Sequence, residues 1–148
     1  MIRTLLGSAP LPSFKGNPAG LEWTTATLGQ FSITYAAAAS EVASLNLMPY
    51  RSAHGREDAH MIKLLESSRL MLEWANDTLF PEARADERIV VCLRSADLWG
   101  LKKGMRYGKS LYASETNRRG FMHHGPMREE IVKAVRQRVF GLWLPHAA

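Results

Sequence analysis

The hydrophobic and polar positions change period several times along the chain, and each change predicts an element. Residues 7–20 hold Gly7, Pro10, Pro12, Gly16, Pro18 and Gly20, too many breakers for a regular element, so an irregular loop is expected. The threonine-rich stretch 23–28 and the strict alternation Phe31-Ser32-Ile33-Thr34-Tyr35, with Gly29-Gln30 between them, read as a β-hairpin with one buried face. Residues 36–48 switch to helix formers and stop at Pro49. A longer helix is predicted over 57–79, where Met61, Leu64, Leu65, Leu72, Ala75 and Leu79 recur at spacings of three and four and Pro81 lies beyond the end. Its remaining apolar residues, among them Leu70, Met71 and Trp74, widen the stripe past one face, and Trp74 is read as core.

The run Ile89-Val90-Val91-Cys92-Leu93 between two arginines is continuous rather than alternating, which fits a central strand buried on both faces. Residues 95–99 are read as a short helix and 110–113 as a short strand. The last helix carries the clearest signals: Gly125 as cap, Pro126 at the first position, Glu129 and Glu130 in the first turn, then Ile131, Val135, Val139 and Leu142 as a stripe. The sum is an α+β single domain over residues 1–148. A small, mostly antiparallel sheet, made of the N-terminal hairpin and central strand 89–93, is packed by the long middle helix and the C-terminal helix.

Charge adds a feature the periodicity does not show. Between Trp99 and Arg128 seven basic side chains (Lys102, Lys103, Arg106, Lys109, Arg118, Arg119 and Arg128) face one acid, Glu115, giving a local +6 in a protein whose total is +5. The cations are interleaved with Trp99, Tyr107, Tyr112 and Phe121, and at such irregular intervals at least two of these four rings are expected in the core. Cations hold a phosphate backbone and aromatic faces stack on bases, so the stretch suits a phosphate-rich partner.

The candidate chemistry is local to this stretch. Gly108-Lys109-Ser110 ends like a phosphate-cradling loop, but Gly104 stands one residue too close and Gly100 three too far for a Walker A spacing. Asn117-Arg118-Arg119-Gly120-Phe121-Met122-His123-His124 precedes the final helix, where free amides favour an anion; His123 or His124 are the acid/base candidates if the protein is an enzyme. His54, Asp58 and His60 lack the spacing of a metal site, so no metal and no cofactor are expected. The lone Cys92 excludes an intrachain disulfide and points to a reducing compartment. With no long apolar segment, a cytoplasmic protein without membrane contact is expected.

Three functions remain open. The first is a small basic regulatory protein binding nucleic acid or another polyanion, with Lys102, Lys103, Arg106, Lys109, Arg118 and Arg119 on phosphates and Tyr107 or Phe121 stacking. The second is an inhibitor or regulator docking an acidic protein. The third is a small enzyme on a phosphate-bearing or nucleotide substrate using His123 or His124.

Overall fold

Pro18 opens helix α1 (Pro18–Gly29), and Thr24, Thr25 and Thr27 lie within it rather than in a strand. The computed structural model describes residues 18–34, 36, 42–45, 47 and 64–141. Of the loop expected at 7–20, residues 18–20 instead begin α1 and the rest lie outside these residues; so do most of the helix expected at 36–48, whose residues 42–45 are not helical, the first part of the helix from 57, Leu142, and His54, Asp58 and His60.

The expected N-terminal hairpin is replaced by α1 and a tight turn. After Leu28 the chain reverses through Phe31 N–H to Leu28 O (2.9 Å) and Ser32 N–H to Gly29 O (3.0 Å), with Ser32 at φ 55°. The period-two alternation arises because this turn drops Phe31 and Ile33 into one core together with Leu28. Five alternating residues are too few to distinguish a strand from such a turn, and packing overrides the modest helix penalty of threonine.

The middle helix is shorter at its start and longer at its end than the stripe implied. It begins as α2 (Glu66–Trp74), widens into a π turn (Ala75–Leu79) and continues as α3 (Phe80–Ala85), ending at Asp86 in the left-handed conformation (φ 76°). Pro81 therefore lies inside the helical segment. Proline has no N–H to donate and its ring collides with the carbonyl four residues back in a regular α-helix; the wide turn before it relieves both demands. Leu64 precedes the helix and is 73% exposed, and Trp74, expected in the core, is 43% exposed because Ser68, Ala75 and Leu79 are the positions facing inward.

Three short strands follow: β1 (Val90–Cys92), β2 (Met105–Tyr107) and β3 (Leu111–Ala113), in the order β1-β3-β2. β1 runs parallel to β3 and β2 antiparallel to it, so the sheet is mixed rather than mostly antiparallel. The central strand is β3, all of it buried, whereas β1 sits at an end of the order and is half-buried. The continuous apolar run of β1 reflects half-burial on both faces rather than a central place.

Side-chain alternation along β3 divides the core in two. Leu111 and Ala113 pack with Ala75, Leu79, Phe80, Ala83, Ala96 and Leu101, a layer built by the π turn, α3 and a 3₁₀ turn (Ala96–Trp99). Tyr112 points the other way, joining Leu28, Phe31, Ile33, Met122 and Ile131 under helix α4 (Pro126–Phe140). Helices thus cover both faces of a small sheet, and the α+β class stands.

Candidate functional site

Because β1 and β3 are parallel, their carboxyl ends share one end of the sheet. The loops leaving that end carry Arg94 after β1 and Arg118 and Arg119 after β3; antiparallel β2 begins there too, bringing Lys102 and Lys103. Close contacts tie the loops together. Gly104 N–H donates to Ala113 O (2.7 Å), and a Cβ at Gly120 (φ 85°) would lie 3.0 Å from Cγ and Cδ of Arg94. Arg94, which the sequence reading left outside the basic stretch, therefore packs beneath the loop bearing Arg118 and Arg119. These cations are exposed and form no ion pair with a described residue; Asp97 and Glu115 are the acids on the same loops.

The loop at 116–122 is a small closed hairpin. Thr116 bridges Met122, Asn117 N–H donates to Phe121 O (2.9 Å), and Gly120 N–H to Asn117 O (3.0 Å). Asn117 Oδ1 accepts from the amides of Arg119 (2.9 Å) and Phe121 (3.1 Å), and Thr116 Oγ1 donates to Leu93 O (2.7 Å). From α1's end, Gln30 reaches across: its Oε1 accepts from Met122 N–H (2.6 Å) and its Nε2 donates to Gly120 O (3.5 Å). Asn117 and Gln30 are the residues that sequence reasoning missed. Asn117 stood beside two arginines, two before Arg119, and its turn-forming spacing was a readable signal; nothing in the sequence linked Gln30 to a loop ninety residues away.

An open cleft of about 400 Å³ lies between this hairpin and α4, lined by Gln30, Asn117, Phe121, Met122, His123, His124 and Arg128. Arg128 Nη1 is 2.6 Å from His124 Nδ1. The same guanidinium nitrogen lies 3.4 Å from His124 Nε2, and because a guanidinium only donates, the imidazole is the acceptor. The lining contains no carboxylate, thiol or hydroxyl side chain, and among the described residues no three His, Cys, Asp or Glu side chains converge as metal ligands do.

The other sequence candidates are committed elsewhere. Arg106 pairs with Glu130 (2.7 Å), donates through Nε and Nη2 to Lys109 O (3.1 and 2.6 Å), and lies 5.6 Å above the Tyr112 ring. Tyr107 Oη accepts from Lys102 N–H (2.8 Å) while its ring packs on the core. Of the four aromatics only Tyr112 is fully buried; Trp99 is half-buried, 6.4 Å edge-on from Phe80, and Phe121 is half-buried in the cleft.

Gly108-Lys109-Ser110 is a clasp on a helix end. Lys109 and Ser110 donate their amides to Arg84 O (3.1 Å) and Ala83 O (3.0 Å), and Ser110 Oγ bonds Asp86 Oδ1. The amides a phosphate would need are spent on the C-terminal carbonyls of α3. Lys109 stands at the end of the sheet opposite the other lysines. Cys92 donates its thiol to Arg94 O (3.3 Å), and burial pushes that thiol's pKa up, away from thiolate chemistry.

No described helix is long and apolar enough to cross a membrane. Comparison with known protein families, curated proteins and solved structures finds no match to this chain.

Proposed function

We propose that the protein is a cytoplasmic nucleic-acid-binding protein that holds phosphates at the carboxyl end of its parallel strand pair. The observation that carries this reading is the gathering of Arg94, Lys102, Lys103, Arg118 and Arg119 on loops of one sheet end, none paired to an acid among the described residues, beside a cleft that adds Arg128. Unpaired arginines on a cross-braced hairpin lose little freedom on meeting a phosphate, and their fork geometry suits its oxygens. Of the other expected contacts, Arg106 and Tyr107 are engaged in internal bonds and Lys109 lies at the opposite end of the sheet, so this reading does not use them.

The test is fluorescence anisotropy with labelled DNA and RNA across a salt series. Binding is expected to weaken with log slope of about −0.7 to −0.9 per phosphate neutralised. Arg118→Glu with Arg119→Glu should abolish most affinity, while Arg106→Ala keeps it. Undetectable binding at low salt, or charge reversal without effect, refutes the proposal.

One observation favours a second reading: Leu70 (51% exposed) and Trp74 (43%) lie one turn apart on α2 as exposed apolar side chains. A regulator of an acidic protein would use such side chains, and complex formation insensitive to nuclease would identify it.

A further inference from the structure

We propose that the nucleic acid bound here is single-stranded and that one unpaired base sits in the cleft against the face of Phe121. This rests on the nucleic-acid reading above and adds the strandedness of the ligand.

Phe121 is held as a platform before any ligand arrives. Its amide donates to Asn117 Oδ1 and its carbonyl accepts from Asn117 N–H, while Gln30 clasps the carbonyl before it and the amide after it. The ring is half-buried on the cleft wall, so one part of it packs and another remains open. The cleft's volume of about 400 Å³ falls in the range of small-ligand sites. Its polar groups are suited to a base edge: the Asn117 side-chain amide nitrogen and the His123 ring make no hydrogen bond with a described residue.

The cations flank rather than fill this space. Arg118 and Arg119 stand at the hairpin tip on one side and Arg128 on the other, as neighbouring phosphates of an extended strand require. A base inside a duplex has both faces covered by its neighbours and cannot reach a ring in a cleft.

The experiment compares four labelled ligands of equal phosphate number: single-stranded DNA, single-stranded RNA, duplex DNA, and a DNA strand of abasic sites. Stacking of one base is worth about five- to hundredfold in affinity, so the protein should bind a base-bearing single strand at least fivefold more tightly than the duplex or the abasic strand. Phe121→Leu keeps an apolar side chain at the position and should lower single-strand affinity to the abasic level. Its unchanged affinity for the abasic strand, with an unchanged salt slope, would show that the fold and the phosphate contacts persist. Equal affinity for all four ligands, or a Phe121→Leu loss shared equally by abasic and base-bearing strands, overturns the single-strand inference while leaving the phosphate reading intact. Absence of binding to every ligand at low salt overturns both.

Discussion

Replacing Gly108 by alanine separates two interpretations of Gly-Lys-Ser, and its cost follows from the geometry. Gly108 has φ 63°, and an added Cβ would lie 2.8 Å from both Cα and Cβ of Arg84 and 2.9 Å from its carbonyl oxygen. The left-handed conformation alone costs a non-glycine residue about 1–2 kcal/mol. Two of the three clashing atoms are backbone, so no rotamer change relieves them. Restoring 3.4 Å of separation lifts the turn off α3 and stretches the Lys109 and Ser110 amide bonds to Arg84 and Ala83. Weakening these adds about 0.5–1.5 kcal/mol each, for a total of about 2–5 kcal/mol. Gly100 is the matched control: its φ is 74°, but nothing lies within 4 Å of an added Cβ, so alanine there meets only the conformational cost. Urea unfolding at constant m-value should place Gly108→Ala about 1–3 kcal/mol below Gly100→Ala, with a further drop in Tm of about 2–4 °C per kcal/mol. Equal destabilisation of the two variants would refute the close-approach argument. Weakened nucleic-acid binding by the folded Gly108→Ala protein would show that the motif serves a phosphate after all.

Other substitutions test the remaining framework. Gln30→Ala leaves the Met122 amide without its acceptor in a buried setting, and should cost about 1–3 kcal/mol in urea unfolding; unchanged stability would mean that the hairpin closes without it. Ile131→Ala, at a fully buried position of α4, should cost about 2–5 kcal/mol by the same assay, and a loss under 1 kcal/mol would contradict its place in the core. Burial, then the neighbouring Glu130 carboxylate, raises the Tyr112 phenol pKa, opposed by Arg106. A folded pKa above the unfolded one gives stability that is fully present below about pH 10 and is lost as pH rises through the folded value. Tyr112→Phe should therefore flatten the alkaline fall of stability, and parallel curves for the two proteins would refute that linkage.

Much of the C-terminal half was legible in the sequence because its signals are local. Gly125-Pro126 with Glu129 in the first turn placed the start of α4, and the short apolar run at 89–93 located β1, since caps and runs act over a few positions. Strand order was not legible: β1 and β3 are both short and apolar, and which one is central depends on a parallel pairing across some twenty residues. At 23–35, threonine propensity and a brief alternation pointed to strands, but packing of Leu28, Phe31 and Ile33 determined the outcome. The basic stretch was visible as a sum of charges, yet its partition was not. Arg106 turns inward because Glu130 lies on a helix that only the fold brings near, and Arg94 joins the cations because Gly120 leaves room for its side chain.

The reach of Gln30 to the hairpin ninety residues on has a thermodynamic meaning beyond the strength of its two bonds. Docking of α1 and ordering of the hairpin are one equilibrium viewed from two ends. A ligand that selects the ordered hairpin must by reciprocity favour docked α1, by the same factor that docking contributes to its affinity. Amide exchange along 18–29 should then slow when the cleft is filled, although none of those residues lines it. By that coupling α1 would be an effector carried in cis, and a partner that captured α1 should release the ligand without touching the site.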